Sequence, residues 1–298
     1  MVFFNKRMIL LFTNLFLLAG IGITIANYST SVIQGEAAGS TNVVFAEFYG
    51  GGGNNSAPYK KDYAVLFNLS GSSQSLSTWS IQYASSTGSN WSKIDLSGTI
   101  QPFRYFLVGL SVDGANGVSL ESPDVNSTSI SASPTNGKIA LMSTQTLIST
   151  GTKKPTSGLI DFIGFGTADE REGTSTSDNA PGGSNTFSIK RKNFLIDSDN
   201  NKNDFETGTP TPLNSSSKST TAEIFSNYFL LRTENKVGLC TDQDLEWSST
   251  LESDYNNLSS AQKALFVAGS ANATIANAVN RYQYLRTIAP SLTNFANL

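Results

Sequence analysis

The sequence predicts a mainly β protein, an immunoglobulin-like β-sandwich followed by a small C-terminal α-helical bundle. Three observations carry this expectation. Short aromatic and β-branched runs recur from Thr41 to Asn214, and clusters of Gly, Ser, Asn and Pro separate them. After Thr221 the apolar residues change from alternation to helical spacing.

Taken in order, the chain opens with Lys6 and Arg7 ahead of an uncharged run, "MILLFTNLFLLAGIGITIA", from Met8 to Ala26. A basic start and an apolar stretch make residues 1–26 a signal peptide or an N-terminal membrane anchor. A cleaved signal is favoured. Both readings put the bulk of the chain outside the cytoplasm, in the extracellular space or at the cell surface.

A β domain is expected over 41–214. Within it "VVFAEFY" (43–49) and "YAVLFNL" (63–69) are apolar and β-branched, the second on both faces, as in a strand buried within a sandwich. "WSIQYA" (79–84) alternates, with Trp79, Ile81 and Tyr83 on one side and Ser80 and Gln82 on the other. "RYFLVGL" (104–110), "KIALM" (138–142), "LIDFIGFG" (159–166) and "FSIKR" (187–191) complete the series.

The composition of "TGTPTPLNSSSKSTT" (207–221) is that of a linker. A helical bundle is expected over 222–298. "TTAE", from Thr220 to Glu223, has the spacing that satisfies two orphan amides at a helix start, and "SSAQ", from Ser259 to Gln262, repeats it. Apolar stripes place helices after Thr220, across 243–257, and through Ile275, Val279, Tyr282 and Leu285. These aromatics are read as core.

Composition excludes several function classes. Histidine is absent, so no mechanism uses an imidazole base, acid or metal ligand. Cys240 is the single cysteine, so no intrachain disulfide forms, and a buried thiol is expected. The net charge is −3; loss of residues 1–26 removes two cations and no acid, giving −5. Residues 41–218 hold 13 basic and 15 acidic side chains, and 219–298 hold 5 and 7. Neither part has the basic excess of a phosphate-backbone binder, so nucleic acid is disfavoured as a partner.

The glycine run in "YGGGGNNSAPYKKDY" (49–63) raises the question of a phosphate cradle. A phosphate loop needs Gly-Lys-Ser/Thr between a strand and a helix. Here no such tripeptide occurs and another strand follows, while Asn55 stands where a dinucleotide fold needs its third glycine. The run is read as a loop joining two strands.

The same stretch, with "LSTWSIQYASSTG", resembles the lamin-tail domain of secreted bacterial proteins. Further matching stretches are "LSGTIQPFRYFLVG", "ISASPTNGKIALMS", "LIDFIGFGTAD", "SIKRK" and "DSDNNKNDFETGTPTPLNSSS", covering about 42–217 in the family's order. The resemblance implies a lamin-tail-type, immunoglobulin-like sandwich. It departs from the family at Val65, where Glu is usual, and at Phe103, where Gly is favoured. In secreted bacterial proteins the domain often accompanies a metal-dependent endonuclease/exonuclease/phosphatase domain. The chain's lack of histidine and its short tail leave no room for that enzyme. The tail itself is similar to small helical tails of bacterial surface proteins.

The most chemical-looking stretch is "DSDNNKNDF" (197–205). Asp197, Asp199, Asn201 and Asp204 space oxygens as a calcium loop does. The EF-hand pattern wants Gly and Glu where this chain has Lys202 and Gly208, so an Asx-rich turn is favoured and calcium is the alternative. No other cofactor is expected. Alternation sends Lys190 and Lys192 to one face and Arg191 to the other, as on a solvated strand edge. Asp169, Glu170 and Glu172 are read as solvated acids in a polar loop. "SDN" at Ser177 and "SAQK" at 260–263 match serine acyl-transfer motifs only by coincidence of letters. No catalytic residue is expected. The chain reads as a non-enzymatic protein of the bacterial surface that binds or anchors an unidentified surface or extracellular macromolecule. The alternative is an accessory that holds nucleic acid for an extracellular nuclease. The membrane is touched only through an uncleaved N-terminal segment.

Overall fold

The computed structural model describes residues 43–193, 196–233, 242–267 and 269–288. The leader at 1–26 and Cys240 lie outside the described residues. No described helix is long and apolar enough to cross a membrane.

The fold is mainly β with a C-terminal helical part. Its strands are β1 (Val43–Tyr49), β2 (Tyr63–Asn68), β3 (Gln74–Ser75), β4 (Ser80–Ala84), β5 (Ser92–Asp95), β6 (Thr99–Ile100), β7 (Tyr105–Gly109), β8 (Val125–Asn126), β9 (Gly137–Met142), β10 (Leu159–Phe165) and β11 (Ser188–Arg191). A short helix, α1 (Asn201–Asp204), precedes β12 (Phe205–Gly208). The larger sheet runs β12-β11-β1-β2-β7-β8, and a second runs β10-β9-β4-β5. Pairing is antiparallel except between β7 and β8.

The two sheets share one apolar core. Phe45, Phe48, Ala64, Leu66, Phe106 and Val108 of the larger sheet meet Ile81, Tyr83, Ile139, Leu141, Ile163 and Phe165 of the smaller. Burying this set is the main driving force for joining the sheets. A bulge between Phe45 and Glu47 shifts the register of β1. The extra residue turns Phe48 inward with Phe45 and leaves Glu47 and Tyr49 on the outer face. Strict alternation along "VVFAEFY" would have put Glu47 inside.

The outer face of the larger sheet is buried as well. Tyr49, Tyr63, Val65, Phe67, Tyr105 and Leu107 form a second apolar layer there, covered by Leu213 and by Ile224, Tyr228 and Leu231 of α2 (Ala222–Thr233). That is why β2 is apolar on both faces. Ser80 and Gln82 lie opposite the core but are also buried, under the 144–148 loop: Ser80 Oγ donates to Thr144 O, and Gln82 Oε1 accepts from Ile148 N.

The helical part adds α3 (Asp242–Asn257), α4 (Ser260–Lys263) and α5 (Ala273–Ile288) to α2. Phe225, Phe229, Leu251, Tyr255, Phe266, Val279 and Tyr282 are among the residues of its own core. Ser259 caps α4 by accepting from Gln262 N. The first helix starts one residue later than the Thr-x-x-Glu spacing suggests. Thr220 is taken by the Tyr105 hydroxyl at 2.6 Å, so Thr221 Oγ1 accepts from Ile224 N instead. The stretch 207–221 begins inside β12 and is held along its length. Thr211 bonds Glu47 through both its N–H and its hydroxyl, and Ser215 N donates to Asp124 Oδ2.

Candidate functional site

The densest polar constellation lies where β1, β10, β11 and the 197–204 loop meet. The bulge in β1 leaves the Phe45 peptide without a strand partner on the β11 side. Side chains take its place: Phe45 N donates to Asp161 Oδ2 at 2.6 Å, and Arg191 Nε donates to Phe45 O at 2.9 Å. Arg191 Nη2 closes the triangle on Asp161 Oδ2 at 2.9 Å. Its Nη1 reaches Asp197 Oδ1 and Asp204 Oδ2, each at 3.3 Å. The guanidinium also lies 4.6 Å from the centre of the Phe205 ring. Arg191 is 2 % exposed, so this is a buried charge, and the reading of it as a solvated edge residue is corrected. It is buried because the bulge needs its N–H groups and the three aspartates need its charge.

The four loop residues singled out from the sequence part company. Asp197 and Asp204 meet on Arg191, while Asp199 sits in the left-handed region at φ 51° and gives its N–H to Asp197 Oδ1. Asn201 turns to β10, where its Oδ1 accepts from Gly164 N at 2.8 Å and its Nδ2 donates to Phe162 O at 2.8 Å. The carboxamide thus pairs with the outer edge of β10 as the peptide of a neighbouring strand would. Inside the loop, Asn200 caps α1 by accepting from Asn203 N, and Ser198 Oγ donates to Asp204 Oδ1. These four side chains do not converge on one point.

Sequence reading missed Asp161 and misplaced Glu172. Glu172 is 7 % exposed, which corrects its reading as a solvated acid. Its Oε1 accepts from Phe162 N and its Oε2 from Asn201 Nδ2. Carboxylate oxygens of Asp161, Glu172 and Asp197 lie within 4.8 Å of one another, a spacing that suits a cation. In this fold the cation beside them is the Arg191 guanidinium. One signal for Asp161 was available: it is the single charge in the strand "LIDFIGF". A charge in a buried strand requires a buried partner. Asp169 is likewise no free acid, since it takes the fully buried Lys138 at 2.6 Å and Lys153 at 2.8 Å.

The electrostatics follow from one guanidinium facing four carboxyls. Burial, reinforced by Asp161, raises the Asp197 pKa to about 6. Burial, then Asp161 and Asp197, pushes Glu172 well above the usual carboxylate range and favours its protonated form. Burial opposes the charge on Arg191, but Asp161, Asp197, Asp204 and Glu172 together outweigh it and hold the guanidinium charged.

The second constellation answers the glycine question. Asp62 Oδ1 accepts from Gly52 N at 2.8 Å and Oδ2 from Ala132 N at 2.9 Å, so one buried carboxylate pins the glycine loop to its neighbour. A Cβ on Gly52 would fall 2.1 Å from Lys61 C, and Gly53 and Gly114 lie back to back. The glycines are there for backbone-to-backbone contact. Burial raises Asp62 to about 6 despite the two donors.

A pH dependence follows. Asp62 and Asp197 have folded-state values near 6 against an ordinary 3.8. The folded state therefore takes up protons that the unfolded chain does not bind until below pH 4. That contribution to stability is fully present below 3.8 and is lost as pH rises through 6. The melting temperature is expected to be higher at pH 5 than at pH 8 at fixed ionic strength. Asp62→Asn combined with Asp197→Asn should flatten the profile. A melting temperature that falls steadily from pH 8 to pH 5 in the parent chain contradicts this.

A cavity of about 720 Å³ opens elsewhere, beside Lys192, Glu223, Ile224, Gln262, Leu265 and Asn272. None of the buried carboxyls described above lines it.

No family model matches the chain. No curated protein matches it. Among solved structures it is similar to a DUF4876 family protein from Bacteroides thetaiotaomicron VPI-5482, at 11 % identity and a TM-score of 0.37. The match covers 58 % of this chain and 72 % of that one.

Proposed function

We propose that the chain is an exported, non-catalytic binding or anchoring protein of the bacterial cell surface, built on an immunoglobulin-like sandwich of the lamin-tail type. The observation that carries this reading is where the family-like stretches fall. "VVFAEFY", "DYAVLFN", "RYFLVG", "KIALM", "LIDFIGF" and "SIKR" supply β1, β2, β7, β9, β10 and β11. The polar residues within or beside them are engaged in holding the fold. Asp62 pins the glycine loop, Asp161 and Arg191 bridge the two sheets, and Asn201 occupies the edge of β10. Asp161 is held by two backbone N–H groups and the Arg191 guanidinium, which commits it to the fold. The Lys6–Ala26 segment supports export.

The test is retention of envelope material by the purified chain, run beside a turnover screen on phosphodiester, ester and glycoside substrates. Capture of a surface macromolecule without turnover is expected. Turnover above a denatured control overturns the non-catalytic reading. Salt-sensitive retention of DNA replaces it with the nuclease-accessory reading.

A further inference from the structure

Asp254 lies on α3 with no exposed surface, and its counter-charge comes from the sheets. Arg104, just ahead of β7, donates from Nη1 to Asp254 Oδ2 at 2.7 Å. Ser219 Oγ donates to the same oxygen at 3.0 Å, while Asp254 Oδ1 has no hydrogen-bond partner among the described residues. The Arg104 guanidinium also lies 4.0 Å from the centre of the Tyr228 ring on α2. One side chain of the β part thus holds two helices.

The helical part has its own core, built without the sheets. Its apolar contact with the outer sheet face is narrow, made by Ile224 with the partly buried Tyr228 and Leu231. We propose that the Arg104–Asp254 ion pair is a latch: it decides whether the helical tail stays docked on the larger sheet. A desolvated ion pair is close to neutral while both partners are present, and removing one strands a buried charge. An undocked tail returns that charge to water, so losing Arg104 favours release over a distorted docked state. Release strips Ile224, Tyr228 and Leu231 from the outer face of the larger sheet.

The experiment is limited trypsin digestion of the full chain, following the cut after Lys218 between β12 and α2, with far-ultraviolet circular dichroism as the fold control. Arg104→Met is expected to speed that cut at least tenfold with the spectrum unchanged. Arg104→Met combined with Asp254→Leu should return the rate to within about threefold of the parent, because an apolar pair leaves no orphan charge. Arg104→Gln serves as a milder single variant and should fall between. An unchanged rate in Arg104→Met overturns the latch, and so does a double variant that is cut as fast as the single. Loss of the folded spectrum in both single variants also overturns it, since the pair would then support the whole fold and not a joint.

Discussion

Replacing Arg191 with methionine is expected to lower stability by about 3–5 kcal/mol, the range for removing one partner of a buried ion pair. In a protein of this size that is a fall in melting temperature of roughly 10 °C. The variant strands Asp161, Asp197 and Asp204, which lie at 2.9, 3.3 and 3.3 Å from the guanidinium. It also frees the Phe45 carbonyl at the bulge. Methionine fills the space but supplies no donor, so each stranded carboxylate must take up a proton or find water. Urea unfolding followed by fluorescence reads the loss. Part of it should return on acidification from pH 7.5 to 5, because protonating Asp197 relieves the same repulsion. Stability within 1 kcal/mol of the parent at pH 7.5 would show that the guanidinium is not the counter-ion of this cluster.

Gly52→Ala is expected to cost about 3 kcal/mol, at the upper end of overpacking in a close-fitting interior. The new methyl would stand 2.1 Å from Lys61 C and 2.3 Å from Asp62 N, and both are backbone atoms that cannot rotate away. Moving the loop to admit it stretches the Gly52 N to Asp62 Oδ1 hydrogen bond. Gly71→Ala is the control. Its nearest neighbour is Leu231 Cδ1 at 3.4 Å, so its melting temperature should stay within about 2 °C of the parent. Equal melting temperatures for the two variants would sink the close-approach account of the glycine run.

The strands and helices were legible because their signals are local. Alternation in "WSIQYA" and the Ser259 cap each need only a few neighbouring residues, and both appear where the spacing places them. The polar site was not legible, because its partners are remote. Phe45 lies 116 residues from Asp161 and 146 from Arg191 along the chain. Local alternation assigned Arg191 to solvent, when a bulge in β1 draws it inside. No pattern within "VVFAEFY" marks that bulge. The Asx-rich loop was read as a turn with calcium as the alternative, and some of its bonding is local: Asp197 Oδ1 accepts from Asp199 N and Asp204 Oδ2 from Ser198 N. The partners that sequence reading could not supply are Arg191, Phe162, Gly164 and Glu172. Phe103 takes a positive φ of 52°. That conformation carries some backbone strain, offset by a ring packed on the outer face of the larger sheet.

The Asn201 carboxamide stands where a further strand would otherwise lie. The flank of β10 is thus sealed by a plug carried on a loop, and a plug of that kind fails when the loop is cut. A nick between Asp197 and Asp204 would loosen it and leave Phe162 O and Gly164 N without their partners, beside the stretch of the flank that Ala180 continues to hold.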